Sequence, residues 1–397
     1  MKVLLSAYAC SPGTGSEPGV GFQTLMAVAE DHDVWVITRQ KNADAIERHL
    51  SNHPSKSRVN VVALELGPRS VLLKRRLGAM GLQWYYDRWQ IKAGEVAVAL
   101  QAKIDFDVTH HVTFSADWGR AGVASLDVPF IWGPIGGGVT APAPLLPTLG
   151  WRGILSEIGR RSGRALLRRR RSYHRSWRVA RVILLQNRET GELGPDGSDR
   201  RLLPNSTSVD LPRLSISGER TNEVVVVGRL IPWKGGLLAL RSFAQIENQT
   251  ATLVFVGEGR ERNRLEAAAQ RMGIDKRVRF RGSLPRPQAL ELVARAGVFL
   301  HLAVHEENSM AVGEALSLGT PVVCLDWGGP AELLRQWSMS PGEAVSVSTT
   351  RDTTRAVARA IDRFLGDPPP IPSEPFAPMT SYATSLLEAY EDAHSDS

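Results

Sequence analysis

Arg229 and Lys234 stand five residues apart in Gly228-Arg229-Leu230-Ile231-Pro232-Trp233-Lys234-Gly235-Gly236, directly after the apolar run 224–227. A guanidinium can fork onto phosphate oxygens and an ammonium acts as a compact point charge, so the pair suits a diphosphate. Two solvated surface cations are the plain alternative. After a second apolar run, 298–302, comes Glu306-Glu307-Asn308-Ser309-Met310-Ala311-Val312-Gly313-Glu314. Asn308 or Ser309 can cap a helix running through Leu318 and closed by Gly319 and Pro321. A capped helix start aims N–H groups and positive dipole at an incoming phosphate. Glu314, inside that helix, can hold ribose hydroxyls, while Glu306, just before it, lies near a sugar. Two glutamates alone say little. Beside Arg229 and Lys234 they suit a nucleoside diphosphate that carries a sugar.

Two more loops have the glycines of a close backbone approach. Gly13-Thr14-Gly15-Ser16-Glu17-Pro18-Gly19-Val20-Gly21 follows the first apolar run and precedes a helical pattern. Helix-start N–H groups there can meet an anion, but the loop is no clean dinucleotide fingerprint and lacks the Lys-Ser/Thr of a triphosphate loop. A ligand loop and a plain turn both fit. Asp326-Trp327-Gly328-Gly329-Pro330-Ala331-Glu332 reads the same two ways.

The elements that must position these loops follow one rhythm. Apolar runs at 3–9, 34–38, 59–64, 128–132, 224–227, 253–256, 298–302 and 321–325 alternate with helical patterns such as 260–272 and 286–296. Uninterrupted Val/Ile/Leu runs fit strands buried on both faces, hence parallel sheets covered by helices. The run at 3–10 also faintly suggests an export signal. With a lone Lys2 before it and a loop straight after, a buried first strand is the better reading. At 397 residues, with 43% hydrophobic and 22% charged, the chain is an ordinary globular sequence, and two domains are expected. The rhythm restarts after the turn-rich stretch 187–205, so the boundary is placed near 205, in a linker. A Pro-rich run, 367–378, precedes Tyr382, Leu386, Leu387 and Tyr390, an apolar stripe at helical spacing that predicts a final docked helix.

Two cysteines, Cys10 and Cys324, are too few for a disulfide framework and point to a reduced, cytoplasmic chain. No apolar run reaches the roughly 18–20 residues of a membrane span. Charge is uneven: residues 1–200 carry 27 Lys+Arg against 18 Asp+Glu, and the remainder 21 against 23. The first half is expected to face something anionic. Between Trp151 and Arg181 lie eleven arginines and one acid, Glu157. Arg160, Arg161, Arg164, Arg168, Arg169, Arg170 and Arg171 are the densest part, interleaved with Ile154, Leu155, Ile158, Leu166, Leu167, Tyr173 and Trp177. An earlier stretch, Lys74-Arg75-Arg76 with Trp84, Tyr85, Tyr86 and Trp89, has the same character. Such helices lie on anionic bilayers, bind nucleic acid, or simply present a solvated face. The membrane surface is the reading favoured here, nucleic acid the lesser one.

Taken in order, the motifs resemble those of the family 4 retaining glycosyltransferases, the glycosyl transferases group 1. The resemblance rests on Gly228-Arg229-Leu230 with Lys234-Gly235, Val256-Gly257-Glu258-Gly259 and Val278-Arg279-Phe280-Arg281-Gly282. It continues through Glu306 and Glu314, Gly319-Thr320-Pro321-Val322-Val323 and Gly328-Gly329-Pro330-Ala331-Glu332. Ser11 to Gly21 resembles a subgroup reading GSEPGVGW, with Phe22 in place of Trp, and Pro204-Asn205 an interdomain PNG element, with Ser206 in place of Gly.

The resemblance implies an α/β chain of the GT-B architecture, two Rossmann-like doubly wound domains facing across a cleft. Residues 1–204 would be the acceptor side, 205–375 the nucleotide-sugar side, and 376–397 a helix crossing back to the first domain. It implies that Arg229 and Lys234 neutralise the leaving diphosphate and that Glu306 faces the donor sugar. Glu314 would bind ribose, Ser309 and Met310 would offer amides to phosphate or sugar, and Arg281-Gly282 would meet the base. Gly15 and Gly228 are the implied close-approach glycines. A family motif DxxHxH matches Asp107-Val108-Thr109-His110, with Val112 at its second histidine. His110 is favoured as the active-site histidine and His111 is the alternative. Neither metal nor cofactor is implied, only a nucleotide-sugar co-substrate and a glycan or lipid-linked acceptor; the basic segment, read as membrane-facing, places the chain at the inner face of the cell membrane. A sugar-nucleotide epimerase of the same fold and a non-catalytic membrane- or nucleic-acid-binding protein are the rival readings.

Overall fold

In a computed structural model the chain is described over residues 1–13, 16–114, 116–195, 197–204, 218–337, 341–372 and 380–395. Thirteen strands among them form two wholly parallel sheets. The first sheet comprises β1 (Lys2–Ser6), β2 (Asp33–Thr38), β3 (Val59–Ala63), β4 (Val108–His111), β5 (Phe130–Ile135), β6 (Val182–Leu185) and β7 (Asp199–Leu202), in the order β3-β2-β1-β4-β5-β6-β7. The second comprises β8 (Thr221–Val227), β9 (Thr252–Val256), β10 (Val278–Phe280), β11 (Ala296–His301), β12 (Val322–Leu325) and β13 (Gly342–Val345), in the order β10-β9-β8-β11-β12-β13. Both repeat the doubly wound pattern expected of two Rossmann-like domains.

Strand alternation sends apolar side chains to both faces of each sheet. In the first, Val3, Leu5, Val36 and Ile131 pack with Leu25, Val28, Leu386 and Tyr390, while Leu4, Ile37 and Trp132 pack with Tyr85, Trp89 and Trp177 on the opposite face. In the second, Val224, Phe255 and Leu300 join Leu238, Phe243 and Ile361, and Val225, Val254 and Phe299 join Leu290, Val312 and Leu333. The run at 3–10 is therefore an interior strand and its exit. Cys10 and Cys324 are both buried and free.

β7 departs from expectation. Asp199-Arg200-Arg201-Leu202 lies inside the stretch read as linker, yet it pairs in register with β6. An edge strand needs only backbone partners on one side, so no apolar pattern betrays it.

Two compact units divide the chain: Met1–Gly138 with Arg164–Asn205 and Thr380–Ser397, and Val139–Gly163 with Ser206–Met379. The linker expected at 205 and the second half of the Pro-rich run, 373–378, lie outside the described residues. Residues 139–163, expected in the first domain, belong to the second. Ala141, Leu145 and Leu149 are fully buried there among Leu230, Leu238 and Val304. The final helix, Thr380–Ser395, packs in the first unit, where the Tyr382 hydroxyl lies 3.2 Å from Thr24 Oγ1.

Candidate functional site

The strand order of the second unit reverses between β8 and β11, and ligands of open parallel sheets bind at the carboxyl ends flanking such a switch. There the loop exits lie backbone against backbone. Gly228 N–H donates to Val256 O at 2.9 Å and Gly257 N–H to Gly282 O at 2.8 Å. Gly257 has φ +136°, and a Cβ on it would sit 2.0 Å from Gly228 O. The exits of β8, β9 and β10 are thus held at a spacing only glycine allows. Arg281 is exposed on the third of them, its N–H bonded to Phe255 O.

Lys234 ends a single turn, Pro232–Lys234. Gly235, at φ +75°, passes so close to β11 that a Cβ would meet Leu302 O at 1.9 Å, and Val304 N–H donates to Trp233 O. Pinned this way, Lys234 forms an ion pair with Glu306. His301 Nε2 lies 3.8 Å from the same Glu306 oxygen. Burial, reinforced by the Lys234 charge, lowers the His301 pKa to about 3, so its ring is neutral near pH 7. Gly228, Arg229, Lys234 and His301 line one pocket with Thr148 and Glu261. Arg229 is exposed, held at the pocket rim.

Ser309 caps the helix Met310–Ser317, its Oγ accepting from Val312 N–H at 3.4 Å, and Gly319 closes it at φ +65°. Met310 is half-buried at the helix start. Glu314 pairs with Arg286 at 3.0 Å. Burial raises its pKa, and the guanidinium works against that rise. Gly328 and Gly329 are packing glycines, since added Cβ atoms would lie 2.5 Å from Glu306 O and 2.1 Å from Glu307 O. The paired glycines let one loop cross the other and fix where Glu306 stands.

The expected site did not include the buried acid that lies beside His305. Glu157, from the helix Gly150–Leu167, is 1% exposed and accepts from Ala141 N–H at 3.0 Å and Arg161 at 3.1 Å, with Arg160 also on it and His305 Nδ1 3.4 Å away. Burial would raise its pKa, but His305, the Ala141 amide and Arg160 hold it well below the usual carboxylate range. A lone acid among eleven arginines was the available signal. His301 was likewise readable only as a polar residue ending an apolar strand.

The structure does not bring the two histidines to a surface. His110 is fully buried, its Nδ1 2.6 Å from the Tyr390 hydroxyl and its Nε2 2.8 Å from Gly133 O. His111, also buried, points the opposite way, with Nε2 3.0 Å from the Tyr86 hydroxyl. Burial lowers their pKa values to about 4 and about 3. Both are built as packed strand residues rather than accessible acid–base groups. Gly15 lies outside the described residues. Nearby, Glu17 accepts from Phe114 N–H at 2.9 Å, and a Cβ on Gly21 would meet Ala9 O at 2.2 Å, so these parts of the loop are structural.

The basic segment is corrected in the same sense. Arg160 and Arg161 serve Glu157, and Arg160 also lies over the Trp233 ring. Arg164 and Arg168 donate to Gly137 O, Arg168 pairs with Asp117 at 2.7 Å, and Arg170 pairs with Asp87 at 2.8 Å. Only Arg169 and Arg171 of the seven show no such side-chain partner among the described residues. A charge run in sequence cannot show which cations are consumed internally.

Residues 213–376 match the family model for glycosyl transferases group 1. A 2-deoxystreptamine glucosyltransferase of Streptomyces kanamyceticus is 30% identical over 154 residues, covering 37% of each chain. The lipopolysaccharide core biosynthesis glycosyltransferase LpsE of Rhizobium meliloti is 30% identical over 144 residues, covering 36% of this chain and 39% of that one. The matches span between a third and two fifths of the length of these curated relatives. Across whole chains, sucrose-phosphate synthase of Thermosynechococcus elongatus superposes with a TM-score of 0.55 at 18% identity, covering 100% of this chain and 94% of the other. Anabaena HepE in complex with UDP-glucose superposes at 0.51 and 15% identity, covering 100% of both. At these identities the likeness establishes a shared fold.

Proposed function

We propose that the chain is a retaining glycosyltransferase that moves a sugar from a nucleoside-diphosphate sugar to a hydroxyl of a glycan or lipid-linked acceptor, at the cytoplasmic face of a membrane. The observation that carries this reading is the convergence of Arg229, Lys234 and Glu306 on the β8 and β11 exits, within the segment that matches the glycosyltransferase model. Lys234 and Arg229 take the diphosphate oxygens and stabilise the charge that develops as the sugar C1–O bond breaks, without needing a bound metal or cofactor. Glu306 receives the donor sugar beside them, and Glu314 takes ribose hydroxyls in exchange for its Arg286 contact. The new bond forms on the face the diphosphate leaves, and the acceptor proton passes to a departing phosphate oxygen. Retention of configuration is inferred from family resemblance, and the membrane location from the basic character of the first half of the chain. A structural neighbour holding UDP-glucose supports a nucleotide-sugar donor.

A thermal-shift titration with UDP, GDP, ADP, dTDP and their sugar conjugates, repeated with Lys234→Ala, tests the donor site. Ligand at about 100 times its Kd adds roughly 2.7 kcal/mol of stability. One base should raise Tm in the natural chain and lose that effect in the variant. No shift with any nucleotide defeats the reading, and release of an isomerised nucleotide-sugar without acceptor would replace it with an epimerase.

A further inference from the structure

Five of the seven expected arginines are committed internally, but Arg171 is not, and it stands with other uncommitted cations of the first unit. Arg120, Arg171, Arg175 and Arg181 have no side-chain hydrogen bond or ion pair among the described residues. They converge on one groove made of two adjoining hollows of about 460 and 490 Å³, which share Ala124, Ser125 and Arg175. The groove has a built floor. A Cβ on Gly122 would lie 2.0 Å from Gln90 O, and one on Gly94 would lie 2.9 Å from Gly122 O, so the helix Gly78–Ile104 and the turn Gly122–Ser125 meet backbone to backbone.

The walls are apolar. Ile91 and Val98, seven residues apart on one helix face, are 47% and 54% exposed, and Val179 at the far end is 43% exposed. Of the acids in the lining, Glu95 is already paired with Lys92 at 2.7 Å, leaving Asp127 on the second hollow. The groove thus sets an excess of unpaired guanidinium groups beside solvent-exposed aliphatic side chains.

We propose that this groove seats the phosphate headgroup of an anionic membrane phospholipid, with the lipid's apolar part along Ile91, Val98 and Val179. Arginine forks onto phosphate oxygens and is more weakly hydrated than lysine, so several around one groove favour a phosphate over diffuse anions. The aliphatic walls select an amphiphile, because a soluble phosphate or a nucleic-acid backbone leaves them in water. The proposal rests on the membrane-side part of the function above, but it uses no residue of the donor site.

Co-sedimentation of the full chain with vesicles tests it, using phosphatidylcholine alone and phosphatidylcholine mixed with phosphatidylglycerol. The natural chain should partition onto the anionic vesicles. Arg120→Gln/Arg171→Gln/Arg175→Gln should weaken that partition by at least about tenfold. Ile91→Ser/Val98→Ser should weaken it several-fold, with Tm and the nucleotide-induced shift unchanged in both variants. Full binding by the arginine variant overturns the proposal. Full binding by the aliphatic variant also does, since it means flat electrostatic adsorption, and so does displacement by inorganic phosphate or duplex DNA. If the natural chain ignores anionic vesicles while a nucleotide still raises Tm, the groove fails and the donor site stands.

Discussion

Lys234 and Glu306 hold each other, so in the proposed donor site a diphosphate would have to draw Lys234 away from a carboxylate that competes for it. Both side chains are partly shielded, 24% and 17% exposed, so the competition is modest. Breaking it is expected to cost about 1 kcal/mol, or roughly fivefold in Kd. Glu306→Gln removes the competing charge while keeping the shape. It should therefore tighten a free nucleoside diphosphate by about that factor, while sugar transfer falls. Calorimetric titration of the diphosphate that passes the thermal-shift screen decides it, and an unchanged or weaker Kd means that Glu306 does not restrain Lys234. His301, neutral and 3.8 Å from Glu306, does not supply the compensating charge in the variant, so the effect belongs to one carboxylate.

At the scale of elements, the glycines of the second unit serve reasons that differ from place to place. Gly257 has both a left-handed φ and a carbonyl 2.0 Å from any Cβ, whereas Gly159, in the exposed middle of the helix Gly150–Leu167, has nothing within 4 Å. Gly257→Ala should lower stability by at least about 2 kcal/mol, while Gly159→Ala should raise it by roughly 0.5–1 kcal/mol through helix propensity. Urea unfolding of the pair checks this, and equal midpoints would mean that the loop exits are not held as tightly as their spacing implies. The same contrast explains what was legible in advance. Apolar runs such as 224–227 and 298–302 must be buried on both faces, so their strands and the loops after them could be read from pattern. β7 could not, because an edge strand of Asp199, Arg200 and Arg201 needs no pattern. Nor could the allegiance of residues 139–163, which is decided by Glu157 finding Ala141 and His305, groups far from it in sequence or unremarkable in type. The burial of the two histidines was hidden from the sequence for a related reason. β4 turns His110 toward Tyr390 and His111 toward Tyr86, and only the opposite faces of a folded sheet reveal that both are inside.

For the molecule as a whole, those buried imidazoles set how stability responds to acid. Their folded pKa values, about 4 for His110 and about 3 for His111 and His301, lie below the value near 6.5 of an unfolded chain. Between pH 6.5 and about 4 the unfolded state therefore binds protons the folded state refuses. Stability is fullest above 6.5 and falls as pH drops through that window. The first unit contains His110 and His111, and the second His301. Each contributes about 1.4 kcal/mol per pH unit, so the first unit should lose stability at about twice the rate of the second. His32, also shifted downward by burial, adds to the first unit in the same direction. The raised carboxyls act oppositely, because protonation favours their folded form, but Glu17 and Glu314 place one in each unit and leave the difference intact. Glu157 enters only at lower pH, since its depressed folded pKa matters below the ordinary range near 4.5. Native-state hydrogen exchange at pH 7 and pH 5.5 resolves the two sheets separately. Protection in β1, β4 and β5 should fall about twice as steeply as in β8, β11 and β12. An equal fall in both sheets would show that the buried histidines accept protons without opening their units.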